Sequence, residues 1–290
     1  MLKHLNRQAL NPSRVLVLGS RGFVGSTLIN SLESRQIMTR GVSSGEIDLT
    51  HDSAADRLSS LVLEGDVIVF ISAEAPCKTT SQFINNLKMA ESVSATIKRV
   101  PISQLVYVSS DAVYQDQTAP MTESSPLGSL SIHGLMHTSR EVILGEASTK
   151  SPLAIIRPTL IYGKNDPHNG YGPNKFRRLA RAGDDIVLFG KGEELRDHIH
   201  VEDVAEIIVN AILYRSEGVL NAVSGQIVSF FDLAQFTANY FGRRSKIICG
   251  ERLAPMPHNG YREFDNSAIC KSFPNLRVKS WEEGLTMVFG

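Results

Sequence analysis

The chain has 290 residues, 30 Lys and Arg against 30 Asp and Glu, and 42% hydrophobic residues. That length can bury a full α/β core. The balanced charge gives no pull toward nucleic acid or a membrane surface, and no apolar run is long enough to span a bilayer. Cys77, Cys249 and Cys270 are scattered and odd in number, which speaks against a disulfide framework or a zinc site and fits a reducing cytoplasm.

Residues 1–13 carry Lys3 and Arg7 but no continuous apolar core, unlike a signal peptide, and read as a loose N-terminal extension. Arg14–Leu18 is a short β-branched run that leads into Gly19-Ser20-Arg21-Gly22-Phe23-Val24-Gly25 and then an amphipathic segment, Ser26 to Leu32. Strand, glycine-rich turn and helix place a pyrophosphate at a helix N-terminus, where free N–H groups point at it. Taken alone the triplet is a weak signal; in this context it favours dinucleotide binding over a plain glycine turn. Further strands are expected at Gln36–Thr39, Val67–Ser72, Leu105–Ser109 and Ala154–Arg157, with helices at Ala54–Leu63 and Phe83–Lys98. Gly41–Gly45 reads as a loop, with no acidic residue before Glu46. This alternation predicts an α/β fold with a doubly wound parallel sheet and ligands at the strand C-termini. The rhythm breaks in the second half, where residues 163–175 and 251–262 are rich in Gly and Pro. Pro167-His168-Asn169-Gly170-Tyr171 recurs as Pro257-His258-Asn259-Gly260-Tyr261. The echo is either a coincidence of turn-forming residues or two loops facing one substrate pocket.

In order along the chain, the motifs resemble the extended short-chain dehydrogenase/reductases, the NAD-dependent epimerase/dehydratase group. Gly19–Gly25 resembles that family's dinucleotide loop, Asp48-Leu49-Thr50 its adenine-contacting segment, and Ile71-Ser72-Ala73 the strand end along the cofactor. Val106–Tyr114 resembles the strand and turn that bear the catalytic Ser or Thr, here Ser110 after Ser109. Arg157-Pro158-Thr159-Leu160-Ile161-Tyr162-Gly163 resembles the segment near the nicotinamide. Phe189–Gly192 with Arg196–Ala205 resembles the late signature, and Trp281–Leu285 the last helix. The resemblance implies a Rossmann domain over 14–163, with 196–224 returning to it, and a smaller substrate-binding part over 164–290. It implies cofactor contacts from Gly19, Arg21, Gly22, Phe23, Val24, Gly25, Asp48, Leu49, Ile71, Ser72, Ala73, Ser109 and Pro158. It also implies a nucleoside-diphosphate sugar held by Asn174, Arg196 and a second arginine, Arg252 or Arg262, with Arg262 taken here. Arginine suits a diphosphate through bidentate, charge-assisted hydrogen bonds. The alternative for Arg196 is a buried pair with Asp197 or Asp203.

The sequence departs from that family at the centre of the site. His133 and His137 stand where Tyr-x-x-x-Lys is expected, and Glu141 supports the register. Three readings follow. His133 replaces Tyr as acid/base with His137 as a ribose contact, the site is catalytically dead, or the pair binds a metal; no third ligand follows at a telling distance, so no metal is assigned. Ser110 and Asp111 are kept, but Ala112 stands where related dehydratases carry Glu, which favours an epimerase, a reductase or a binder. Arg21 and Arg40 would suit the 2′-phosphate of NADP over NAD. A homodimer is expected through Phe83–Lys98 and His133–Ala147, because Ile132, Leu135, Met136, Val142, Ile143 and Leu144 exceed one buried stripe.

Overall fold

The computed structural model describes residues 2–167, 169–242, 244–252 and 254–290. The first part runs β1 (Lys3–His4), β2 (Val15–Leu18), α1 (Phe23–Ser34), β3 (Thr39–Val42), α2 (Ala54–Leu61), β4 (Val67–Phe70), α3 (Thr80–Arg99), β5 (Gln104–Val108), α4 (Ile132–Ala147) and β6 (Leu153–Pro158). It continues through β7 (Leu160–Tyr162), α5 (Pro173–Ala182), β8 (Ile186–Phe189), β9 (Leu195–His200), α6 (Val201–Leu213) and β10 (Ser216–Ala222). The remainder is β11 (Ile227–Ser229), α7 (Phe230–Tyr240), β12 (Ile247–Gly250), β13 (Tyr261–Arg262), α8 (Ser267–Ser272) and α9 (Trp281–Phe289).

A seven-stranded sheet of order β1-β10-β6-β5-β4-β2-β3 forms the centre, parallel throughout except for β1. Every residue of β2, β4 and β5 is buried. Such continuous apolar runs arise because a parallel sheet is covered on both faces. One face packs Val15, Val17 and Val69 against Leu28 and Leu32 of α1 and Val204 and Ile208 of α6. The other packs Leu16, Leu18, Ile68 and Phe70 against Leu58 of α2, Val93 of α3 and Leu144 of α4. A separate core of Phe176, Leu188, Phe230, Leu233, Leu285 and Val288 joins α5, β8, α7 and α9. There β9 pairs with β7 and β13 in parallel and with β11 antiparallel.

Two expectations are corrected. The strand placed at Gln36–Thr39 begins at Thr39 and runs to Val42. Gln36 instead adopts φ +57°, and the N–H groups of Gln36 and Ile37 bond the carbonyls of Glu33 and Leu32, closing α1. Gly41 therefore lies within the strand, where a Cβ would meet Ser20 Cβ at 2.8 Å. The N-terminal extension is not loose where it meets the sheet, because Lys3 and His4 pair with Glu217 and Ser216 at the edge. The His4 ring stacks on Tyr214 and Phe273 and bonds Ser216 Oγ and Ser272 O, each at 2.8 Å. Among the described residues, no helix is long and apolar enough to cross a membrane.

Candidate functional site

The glycine turn is shaped by close backbone approach. Gly19 has φ +93°, and a Cβ there would lie 2.8 Å from Ser72 N. At Gly25 a Cβ would lie 2.1 Å from Gly19 O, so helix and turn touch through bare backbone. Gly22 is roomier, with Gly19 O at 3.2 Å. The N-cap of α1 is Gly22, with no side-chain cap and no acidic residue in the first turn. Its N–H groups stay available to an anion, which the helix dipole also favours.

This turn opens onto a cleft of about 840 Å³. Gly19, Arg21, Gly22, Phe23 and Val24 line one wall, and Ser43, Ser44, Gly45, Asp48 and Thr50 line one end. Asp48 Oδ1 accepts from Thr50 N and Oγ1 at 2.9 and 2.7 Å, which holds its carboxyl below the usual range. Ile71, Ser72 and Ala73 line the strand end, continued by Glu74 and Ala75. The lining is completed by Leu160–Tyr162, Asp166, Pro167, Gly170–Asn174 and His198. Arg40, Leu49, Ser109 and Pro158 do not line it. Arg40 pairs with Glu46, Leu49 is buried in the core, and Ser109 Oγ donates to Glu141 Oε1 at 2.6 Å. An arginine beside a strand end reads alike in sequence whether it turns to a ligand or to a neighbouring Glu.

On the far side, Asn174 sits in the first turn of α5, its amide donating to Asp166 Oδ2 at 2.6 Å. Arg196 is buried on β9 and pairs with Glu194 at 2.9 Å, rather than with Asp197 or Asp203. Asp197 instead accepts from Thr159 Oγ1, Ser224 N and Oγ, and Gly225 N, pinning the turn after β10. Arg262 lies opposite Arg196 in register, fully buried. Its Nε meets Asp111 Oδ2 at 3.0 Å, and its Nη1 meets Asp116 Oδ1 at 2.6 Å and His258 Nδ1 at 2.8 Å. Arg252 donates to Phe189 O at 2.9 Å. Of the two echoed loops, the first lines the cleft through Pro167, Gly170 and Tyr171, while His168 lies outside the described residues. The second joins Arg262 and Asp116 through His258 and is absent from that lining. His198 was not anticipated as a cleft residue; its strand position, two residues from Arg196, was the available signal.

Ser110 and the histidines are brought together by a glycine. A Cβ on Gly134 would lie 2.1 Å from Ala112 O, so the first turn of α4 packs directly on the short 3-10 turn Asp111–Val113. Ser110 Oγ accepts from Ala112 N–H at 3.1 Å and donates to Asp111 Oδ1 at 3.3 Å. His133 Nδ1 accepts from Cys77 N–H at 3.3 Å. His137 Nδ1 lies 2.7 Å from Tyr107 Oη, and the two imidazoles meet edge to face with centroids 4.8 Å apart. Burial lowers both histidine pKa values, against Asp111 for His133 and with the help of His133 and Arg140 for His137. Burial pushes the Tyr107 phenol up to about 12. Arg140 is fully buried over the Phe70 and Tyr107 rings, at 4.2 and 5.1 Å. It donates to Ser72 O and Asn86 Oδ1 and forms no carboxylate ion pair among the described residues. Ser110, His133 and His137 are outside the cleft lining; the segment from Ser72 to Cys77 connects the two regions. Among the described residues, no group of three or more His, Cys, Asp or Glu could hold a metal ion.

A doubly wound parallel sheet, an uncapped helix behind a glycine turn and a cleft across the strand ends define a protein of Rossmann-type fold. The chain belongs to the NAD dependent epimerase/dehydratase family, whose model matches residues 15–222. It is 27% identical over 314 residues to a UDP-N-acetyl-alpha-D-glucosaminuronate decarboxylase of Bacillus cytotoxicus, covering 94% of this chain and 95% of that protein. It is 26% identical over 264 residues to GDP-L-fucose synthase 1 of Arabidopsis thaliana, covering 81% and 80%. In fold it is similar to Thermus thermophilus UDP-glucose 4-epimerase in complex with NAD, with TM-score 0.84, 20% identity, and 95% and 97% of the chains covered. A Naegleria fowleri GDP-L-fucose synthetase bound to NADP gives TM-score 0.84 at 16% identity, covering 99% and 95%.

Proposed function

We propose that the protein binds a nicotinamide dinucleotide along the Gly19–Ala75 part of the cleft and a nucleoside-diphosphate sugar at its Asn174 end, with Arg196 and Arg262, which do not line the cleft and are paired internally, turning to the diphosphate, and moves hydride between them. The observation that carries this reading is the uncapped α1 N-terminus beneath a turn too tight for any Cβ at Gly19 or Gly25, opening onto a cleft that continues to Asn174. Bound there, the nicotinamide supplies the hydride acceptor and donor. The chain supplies loop N–H groups for the pyrophosphate, Asp48 at the adenosine end and Ser110 for a sugar oxygen. Arg21 lines the cleft and no acidic residue stands at Val42–Gly45, which supports NADP over NAD. The named sequence relatives are a decarboxylase and a synthase of nucleotide sugars, so the nucleotide sugar is their shared element. With Ala112 at the dehydratase Glu position, epimerisation or ketone reduction is the reaction proposed.

The test is titration with NADP(H) and NAD(H), followed by turnover with UDP-, GDP- and dTDP-sugars. Saturable dinucleotide binding and hydride exchange are expected; no binding of either dinucleotide overturns the reading. A second reading, a binder without turnover, is favoured by the His133 and His137 rings being held in internal hydrogen bonds. It predicts tight dinucleotide binding and no product with any sugar.

Arg196→Ala is expected to weaken sugar-nucleotide binding by about 1.5–3 kcal/mol, the scale of a charged hydrogen bond, and to leave dinucleotide affinity within twofold or so. Calorimetry with each ligand checks this, and equal loss of both would assign Arg196 to a structural pair with Glu194. We also propose a homodimer through the outer faces of α3 and α4, where Ile84, Leu135 and Val142 remain exposed although Met136 and Leu144 turn inward. Light scattering at tens of micromolar should give twice the chain mass; a strictly monomeric mass would refute it.

A further inference from the structure

Two neighbours of α4 bear on where the imidazole protons of His133 and His137 sit. We infer that both rings are held as neutral Nε2–H tautomers, with the Nδ1 lone pair occupied internally by Cys77 N–H and by the Tyr107 hydroxyl. Each ring then offers ligand a hydrogen-bond donor, suited to a hydroxyl or carbonyl oxygen, and is closed as a proton-accepting base. In taking that oxygen to be a sugar or ribose oxygen, the inference rests on the function proposed above.

A backbone N–H can only donate, so the Cys77 contact at 3.3 Å requires a lone pair on His133 Nδ1 and leaves the proton of the neutral ring on Nε2. To take a proton from ligand at Nε2, the ring would first have to give up Cys77 and carry hydrogen on Nδ1. For His137, Tyr107 keeps its single phenolic proton at neutral pH. Ser109 is the other hydroxyl near Tyr107, but its own proton goes to Glu141 Oε1 at 2.6 Å. Imidazole nitrogen is a more basic acceptor than a hydroxyl oxygen, so the Tyr107 proton is directed to Nδ1, 2.7 Å away. Arg140, one turn further along the same helix and without a carboxylate partner among the described residues, opposes a second positive charge on His137. Neither Nε2 belongs to the sealed, unpartnered nitrogens of the molecule, a group that does include His198 Nε2. Cys77, through its backbone, and Tyr107 are thus positioning residues.

His198 supplies an internal control. Its Nδ1 faces Arg196 O at 3.3 Å, and a carbonyl can only accept, so His198 carries the opposite tautomer, Nδ1–H. Long-range ¹H–¹⁵N spectra of the full chain labelled at histidine read tautomers without ligand or turnover, so their result stands apart from whether the proposed function holds. His133→Gln, His137→Gln and His198→Gln identify the signals. At about pH 7.5, His133 and His137 should show a pyridine-type Nδ1 and a protonated Nε2, and His198 the reverse. Tyr107→Phe should turn His137 into a tautomer mixture and leave His133 unchanged. Nδ1–H or a charged ring at His133 or His137 in the wild type overturns the inference, as does an unmoved His137 in a folded Tyr107→Phe. If that variant does not fold, the wild-type tautomers alone decide.

Discussion

Arg157→Met is expected to lower unfolding free energy by about 3–5 kcal/mol, the cost of leaving a buried charge without its partner. Arg157 reaches Glu141 twice, Nε to Oε1 at 2.9 Å and Nη2 to Oε2 at 2.6 Å, and both side chains are buried. Its Nη1 also donates to Tyr114 Oη at 2.9 Å, and Tyr114 donates to Asn221 Oδ1 at 2.6 Å. The network therefore ties α4 to β6, β10 and the turn after Ser110. Removing the cation strands the Glu141 carboxylate, which among the described residues retains only Ser109. Removing both charges with Arg157→Met and Glu141→Leu should recover most of the loss, because neither desolvated ion remains. Urea denaturation of the two variants checks this; equal losses in both would show that the network acts through packing rather than through a buried charge.

Restoring the family residues with His133→Tyr and His137→Lys is expected to destabilise the protein by about 3 kcal/mol and to yield little hydride transfer. The new ammonium would enter a buried site beside Arg140, whose guanidinium already lies over Phe70 and Tyr107 with no carboxylate among the described residues. Two like charges at low dielectric repel, so either the fold weakens or Lys sheds its proton and loses the charge it is meant to supply. Adding Arg140→Met removes the repulsion while keeping most of the volume. The triple variant should regain about 2 kcal/mol over the double variant and transfer hydride faster. Denaturation midpoints together with NADPH oxidation in the presence of UDP- and GDP-sugars measure both effects. A double variant as stable as wild type would show that Arg140 does not set the charge at this position. On the same reasoning His133→Phe removes one donor, and a loss of turnover of roughly tenfold is expected rather than the 100-fold of a lost acid/base.

By itself, the sequence determined the sheet and the glycine turn before α1. Val15–Leu18, Val67–Phe70 and Leu105–Val108 are apolar without a break because both faces of their strands are covered, and that signal is local. The glycines at 19, 22 and 25 are equally local, although only the structure distinguishes Gly25, with no room for a Cβ, from the looser Gly22. The order of motifs also picked out the segment that carries His133 and His137, which folds as α4. Tertiary structure decided what lacks a local pattern. The β3 strand is only partly buried, and the left-handed Gln36 before it leaves no periodicity to read. Leu49 turned to the core and Arg40 to Glu46, while Arg262 met Asp111 across 151 residues of chain. The partners of the two imidazoles, Cys77 and Tyr107, come from a loop and a strand remote from α4 in sequence. Which nitrogen carries a proton depends on the group facing it, and only the folded chain brings those groups together.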